Sequence, residues 1–102
     1  TTKVVTWSAL ERLGAGVEAL GQLLELRVMS APMPHWQRSC VECKDSKGGV
    51  GTIAFYCAAP PAGLAQGKVL RWRHPRFHFF MSGQKGARVE DQDLANITIS
   101  DA

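Results

Sequence analysis

The sequence has no long apolar run, because Arg, Glu, Gln or Gly interrupts every hydrophobic stretch well before the roughly 18 residues that would span a bilayer. It also lacks a basic start followed by an apolar segment, so no signal peptide is indicated. Cysteine is scarce, with three residues in 102, and an odd, low count is a poor disulfide framework. We therefore expect a soluble protein of a reducing, intracellular compartment, with nucleus and cytoplasm left open.

Sequence motifs of catalysis are missing as well. There is no Gly-x-Ser-x-Gly, no His-Glu-x-x-His and no phosphate-binding glycine loop. The glycine-rich run at residues 48–51 lacks the following Lys-Ser/Thr and comes between predicted strands rather than before a helix. We therefore expect a protein that is not an enzyme and that uses no cofactor.

The cysteine pair Cys40-x-x-Cys43 has the spacing of half a zinc site, which Cys57 and one of the histidines could complete. No second closely spaced pair follows, and residues three apart on a strand face opposite sides. Free cysteine is commonly a small buried hydrophobe. The prediction is therefore buried thiols and no metal.

The amino-acid composition is that of one globular domain. Hydrophobic residues make up 45% and charged residues 21% of the chain, which is ordinary for a folded domain and gives room for one core. No repeat or linker divides residues 1–102. The chain begins with Thr1 rather than Met, so we expect it to be part of a larger protein.

The alternation of apolar and polar residues predicts a β-rich chain. Ser8 and Glu11 form a capping-box pattern that predicts a helical turn over about 8–13. Residues 31–34, with two prolines, are predicted to break regular structure, and an acidic turn is predicted at 91–93. The predicted strands cover about residues 18–29, 35–45, 50–57, 69–73, 77–81, 87–90 and 97–100.

The order of these elements resembles the five-strand plan of OB-fold domains in single-strand-binding proteins and anticodon-binding domains. The resemblance rests on Gly21 in the first strand, Asp45 in the turn of the hairpin at 41–55, Gly67 before the fourth strand, and the last strand at Gly86 to Val89. It covers about residues 17–99 and implies a small five-stranded barrel with a short N-terminal helical turn. The proline-rich connector at 58–66 is shorter than the helix usual at that place.

Alternation also predicts which side chains form the core. The expected core consists of Leu24, Leu26, Val28, Ile53, Phe55, Val69, Leu70, Trp72, Phe77, Phe79, Val89 and Ile97.

A basic segment carries the functional hypothesis. Residues 68–88 hold six Lys or Arg and two His without any Asp or Glu. If Phe77, Phe79 and Met81 point inward, the residues between them point outward beside exposed aromatic rings. Such a face suits single-stranded DNA or RNA, since arginines neutralise phosphates and each base stacked on a ring gains about 1–3 kcal/mol. The predicted binding residues are Arg71, Arg73, Arg76, His78, Phe80, Tyr56, Trp36, Arg38 and Arg88.

Two alternatives stay open for this face. Arg, Trp and Tyr are enriched in the hot spots of protein interfaces, so a protein partner or an oligomer could use the same residues. A solvated strand face whose arginines only shield a sheet edge is the third interpretation. The sequence does not indicate the oligomeric state.

Overall fold

The computed structural model describes residues 3–35 and 38–102, and its backbone is mainly β-strand. In the described ranges no helix is long and apolar enough to cross a membrane. The elements in chain order are β1 (Lys3–Val5), α1 (Trp7–Leu13), β2 (Gln22–Val28), β3 (Met33–His35), β4 (Arg38–Lys44), β5 (Val50–Tyr56), β6 (Val69–Arg73), β7 (His78–Phe79), β8 (Lys85–Glu90), a 3₁₀ helix (Asp91–Asn96) and β9 (Ile97–Ser100).

One sheet contains all the strands, and its main path runs β7-β8-β5-β4-β2-β6-β9. β2, β4 and β5 pair antiparallel in succession, and β6 returns to pair antiparallel with the other side of β2. β8 lies parallel to β5. Two short strands lie outside this main path: β1 pairs with β2, and β3 pairs with β4. The mainly β fold is confirmed, whereas a closed five-stranded barrel is not, because this sheet has more strands and stays open.

The core lies inside the curved sheet and matches the alternation of the sequence. Ten of the twelve predicted core residues are buried, with Trp72 and Phe55 among the largest side chains that are fully enclosed. Val69 is half-buried. Trp7 adds to the core from α1 and packs so close to Gly51 that a Cβ at that position would lie 2.6 Å from the indole ring. Alternation therefore identified most of the core, although not the contribution of the helix.

Phe79 is the exception, and its predicted burial is wrong: the residue is 49% exposed, and Met81 is fully exposed. The predicted strand at 77–81 shrinks to the two residues of β7, which is the last strand of the sheet path. His74 precedes it with φ of 59°, held by the Gly21 N–H, which donates to its Nδ1 at 2.9 Å. After this bend Phe77 is buried in the core, whereas Phe79 on β7 is exposed.

We expect replacement of Phe79 by alanine to change the free energy of unfolding by less than about 1 kcal/mol, as is usual for exposed positions. Among the described ring contacts, alanine would remove the edge-on one with Phe77, whose centroid lies 4.9 Å away. Urea denaturation followed by tryptophan fluorescence would measure this. Phe77→Ala is the matched control, because it empties a buried site and should clearly lower the midpoint. Equal losses in the two variants would contradict the assigned orientation.

The ends of the smaller elements also differ from the predictions. α1 is capped by Thr6, whose hydroxyl accepts from the Ala9 N–H at 3.2 Å, rather than by Ser8. Met33–His35 forms a strand despite its proline, since an edge strand tolerates one. β1 was not predicted, because a three-residue strand gives too short a pattern. The acidic turn at 91–93 is the first half of the 3₁₀ helix.

Gly86 fixes the distance between β8 and β5. A Cβ at this position would lie 1.7 Å from the carbonyl oxygen of Thr52. Only glycine therefore allows the parallel pairing of Thr52 with Gly86. Thr52 in turn lines the groove described below.

Candidate functional site

A groove crosses the outer face of the sheet at β5, between β4 and β8, and is covered on one side by the hairpin at residues 78–84. Its central part has a cavity volume of about 440 Å³. The residues that line this central part are Cys40, Thr52, Ala54, Tyr56, His78, Phe79, Phe80, Met81, Ser82, Gln84 and Arg88.

The pleat of β5 explains why these residues meet. Ile53 and Phe55 point into the core, so Thr52, Ala54 and Tyr56 face outward. Ala54 lies opposite Cys40 on β4 and opposite Arg88 on β8. The row across three strands therefore has a small residue at its centre, which leaves room for a ligand between the flanking side chains.

The groove continues at both ends of its central part. At one end Ser30, Met33 and Glu42 line a depression of about 480 Å³ that shares Cys40 and Thr52 with the centre. At the other end Arg76 and Glu90 line a depression of about 350 Å³ that shares His78 and Arg88 with it. The whole groove thus runs across β4, β5 and β8, from the β2–β4 connection to the β6–β8 connection.

Cations and rings are in contact within the groove. The guanidinium of Arg88 lies over the Tyr56 ring, 4.1 Å from its centroid, and its Nη2 is 3.6 Å from Glu90 Oε1. The rings of His78 and Phe80 meet edge-on at 4.7 Å. Within the described chain, the buried Arg88 Nε finds no acceptor. The arrangement places aromatic rings beside a cation, which suits a planar, anionic ligand.

Burial within the groove, and to a lesser extent the charge of Arg88, lowers the pKa of His78 below its ordinary value. The imidazole is therefore neutral at neutral pH and adds no charge to the groove. Neutral imidazole can still stack and accept a hydrogen bond.

This lowered pKa predicts a pH dependence of stability. As the pH falls, the unfolded state takes up the His78 proton before the folded state does, so the free energy of unfolding should decrease between about pH 7 and pH 5.5. We expect His78→Gln to remove part of that decrease. Urea midpoints of parent and variant at the two pH values measure it, and equal decreases in both proteins would contradict the assignment.

Arg76, which was predicted to bind nucleic acid, is already engaged in an ion pair. Its Nη2 forms an ion pair with Asp93 Oδ2, and the two side chains are only 25% and 9% exposed. The same Asp93 oxygen accepts from the Glu90 N–H at 2.9 Å. Because removing Arg76 would leave a buried carboxylate without its cation, we expect its replacement to cost stability as well as charge.

Arg71 and Arg73 are not brought to the groove. They lie on β6, which β4 and β2 separate from β5 in the sheet. Arg71 Nε donates to Glu25 at 2.7 Å and its Nη1 donates to Ser100 Oγ at 2.8 Å. Arg73 is exposed at the end of the same strand. The expected single surface of arginines is thus divided between two faces of the molecule.

The remaining predicted residues are placed as follows. Tyr56, His78, Phe80 and Arg88 lie together in the central groove, as described above. Arg38 is the first residue of β4, and its backbone pairs with His35. Trp36 lies outside the described residues.

Sequence reasoning missed several groove residues. Thr52 and Cys40 could have been found, because alternation on β5 and β4 places both on the outer face. Ser82 and Gln84 could not, since they belong to a hairpin turn without a periodic pattern. Phe79 and Met81 were expected in the core and instead line the groove.

The cysteines occupy different environments. Cys43 is buried in the core, which raises its pKa to about 12, whereas Cys40 on the opposite face of β4 lines the groove. The Cys57 thiol donates to the Val89 carbonyl at 3.4 Å. Across residues 3–35 and 38–102, no three His, Cys, Asp or Glu side chains gather as a metal site would require.

Comparison with known proteins does not assign a family. No protein-family model matches the sequence, and the search of curated proteins finds no match either.

Proposed function

We propose that this chain is an OB-like module that binds single-stranded nucleic acid in the groove and carries out no reaction itself. The observation that carries the proposal is the position of Tyr56, His78, Phe80 and Arg88, which meet in one groove on the outer face of the sheet. Ring faces for bases and a cation for phosphates are the two requirements of single-strand binding.

The strand order supports the OB-like fold. β2, β4 and β5 follow one another, and β6 returns after a long connection to lie beside β2. This is the order of a Greek key, in which the fourth strand lies next to the first. An OB-fold is a partly open Greek-key barrel of five strands, and here β8, paired parallel to β5, supplies the fifth.

The location of the groove supports the ligand. OB-folds bind oligonucleotides on the face of their second and third strands, between the loop after the first strand and the loop after the fourth. The corresponding strands here are β4 and β5. Met33, in the connection after β2, and Ser82, in the connection after β6, line the two sides of the groove.

A protein partner remains the second candidate, and one observation favours it. Phe79 and Met81 are both highly exposed at the rim of the groove. Adjacent exposed apolar side chains are typical of protein interaction sites. The three free cysteines support an intracellular setting for either partner.

The test is a competition between single and double strands. A labelled single-stranded oligonucleotide should bind and should be displaced by the same unlabelled strand. The corresponding duplex should compete at least about tenfold less well, because its bases are stacked inside the helix and cannot reach Phe80 or His78. Fluorescence anisotropy measures both. Equal competition by the duplex would indicate charge attraction alone and would overturn the proposal.

A further inference from the structure

The outer side of the sheet carries a second charged surface away from the groove, around β2 and β6, which we call the β2–β6 face. It is built from three rows of neighbouring outward side chains. Lys44, Arg27 and Val69 form the first row, Glu25 and Arg71 the second, and Val4, Leu23 and Arg73 the third. Inward neighbours such as Leu24, Leu26 and Trp72 belong to the core.

The cations of this face are incompletely neutralised. Arg71 is paired with Glu25. By contrast, Arg27, Lys44 and Arg73 form no ion pair within the described residues, and all three are exposed. Four cations and one carboxylate thus share the three rows.

Arg27 and Lys44 lie directly opposite each other on β2 and β4. Like charges in such a cross-strand pair destabilise a sheet. A depression of about 200 Å³ lies beside them, lined also by Glu25, Ser46 and Val69. Two carboxylates line this depression, but neither forms an ion pair with Arg27 or Lys44 within the described residues: Asp45 accepts from backbone N–H groups and Glu25 is paired with Arg71. An external anion would relieve the repulsion.

The side chains between the cations indicate what kind of anion fits. Val4, Leu23 and Val69 are aliphatic and at least partly exposed, and the described side chains of the three rows include no aromatic ring. The face therefore offers no stacking platform for bases, in contrast to the groove. Cations beside partly exposed aliphatic side chains complement a peptide that carries both carboxylates and aliphatic residues.

We propose that the β2–β6 face docks an acidic, aliphatic segment of a protein partner. Carboxylates of the segment would pair with Arg27, Lys44 and Arg73, while its apolar side chains would pack on Leu23 and Val69. This surface is separate from the groove, so the proposal goes beyond the nucleic-acid function and does not depend on it.

The test uses a labelled peptide of alternating glutamate and leucine residues, with a lysine–leucine peptide as the probe of opposite charge. The acidic peptide should bind the parent protein and the basic peptide should not. Replacing Arg27 and Arg73 together by glutamine should weaken binding of the acidic peptide about tenfold. Fluorescence anisotropy measures the affinities, and circular dichroism confirms that the variant is folded.

Arg12→Gln with Lys85→Gln is the matched control, because it removes the same charge from exposed positions of α1 and β8. It should leave peptide binding unchanged. An equal loss in the control, or no binding to the parent, would overturn the proposal. If the face variant instead loses affinity for a single-stranded oligonucleotide and not for the peptide, the face contacts nucleic acid and the protein assignment is wrong. Failure of the groove proposal would show in oligonucleotide binding that Phe80→Ala leaves unchanged, and this variant should not affect the peptide.

Discussion

Replacement of Asp45 by alanine should lower the free energy of unfolding by about 3 kcal/mol or more, since each buried donor left unpaired costs about 1–3 kcal/mol. The Asp45 side chain is buried in the turn between β4 and β5. Its Oδ1 accepts from the N–H groups of Lys47 at 2.9 Å and Gly49 at 2.8 Å, and its Oδ2 accepts from the Trp7 N–H at 2.9 Å. Alanine would remove all three acceptor contacts.

The loss would extend beyond the turn, because Asp45 joins α1 to the hairpin beneath the groove. Trp7 packs on Gly51 and donates its indole N–H to the Cys43 carbonyl at 3.1 Å. If the Trp7 N–H loses its acceptor, the position of the Trp7 main chain is no longer fixed, and the packing of the indole on Gly51 is weakened as well. Contacts that share a partner are coupled, so the effect should exceed that of a single hydrogen bond.

Urea denaturation followed by tryptophan fluorescence tests this prediction. Asp91→Ala is the matched control, since Asp91 is exposed and accepts only from the Ala58 N–H at 3.3 Å among the described hydrogen bonds. The control should remain within about 0.5 kcal/mol of the parent. A similar midpoint for both variants would show that the Asp45 contacts do not stabilise the fold.

The second large effect is expected on binding. Replacing Phe80 by alanine should weaken binding of a single-stranded oligonucleotide by about tenfold, because one stacked base is worth about 1–3 kcal/mol. Replacing Arg88 by glutamine should also weaken it. The arginine variant should in addition flatten the plot of log Kd against log salt concentration by about one unit, since one phosphate contact is lost. The phenylalanine variant should keep the slope of the parent, because stacking releases no counterions.

Arg73→Gln is the control for this pair of variants. It removes one exposed charge, as Arg88→Gln does, but from β6 rather than from the groove. Its affinity and salt slope should therefore stay close to those of the parent. If Arg73→Gln lowers both as much as Arg88→Gln, nucleic acid binds through overall charge and the groove is not the site.

The sequence predicted the parts of the fold whose residues alternate over several positions. β5, β6 and β9 lie where alternation placed them, and Leu24, Ile53 and Trp72 are buried as expected. The predicted burial failed at Phe79, after the bend at His74, whose positive φ is accompanied by a hydrogen bond from Gly21, 53 residues away in the sequence. A local pattern contains no information about such a distant contact.

The candidate site was predicted only in part for the same reason. Tyr56 and Arg88 meet because β5 pairs with β8, and no spacing in the sequence indicates that pairing. The alternation that placed Arg71 outward was correct, but it could not show that β4 and β2 separate β6 from β5 in the sheet. Ion pairs such as Arg76 with Asp93 likewise depend on the fold rather than on the basic segment itself.

Binding of single-stranded nucleic acid is tested most directly by the affinity of the unmodified protein for a labelled single-stranded oligonucleotide at several salt concentrations. An oligonucleotide of about 10 nucleotides suffices, since one OB-fold covers about 4–16. We expect binding at low salt and a linear decrease of log affinity with log salt concentration, with a slope of about one to three units. No binding at low salt, or an affinity that does not change with salt, would contradict it.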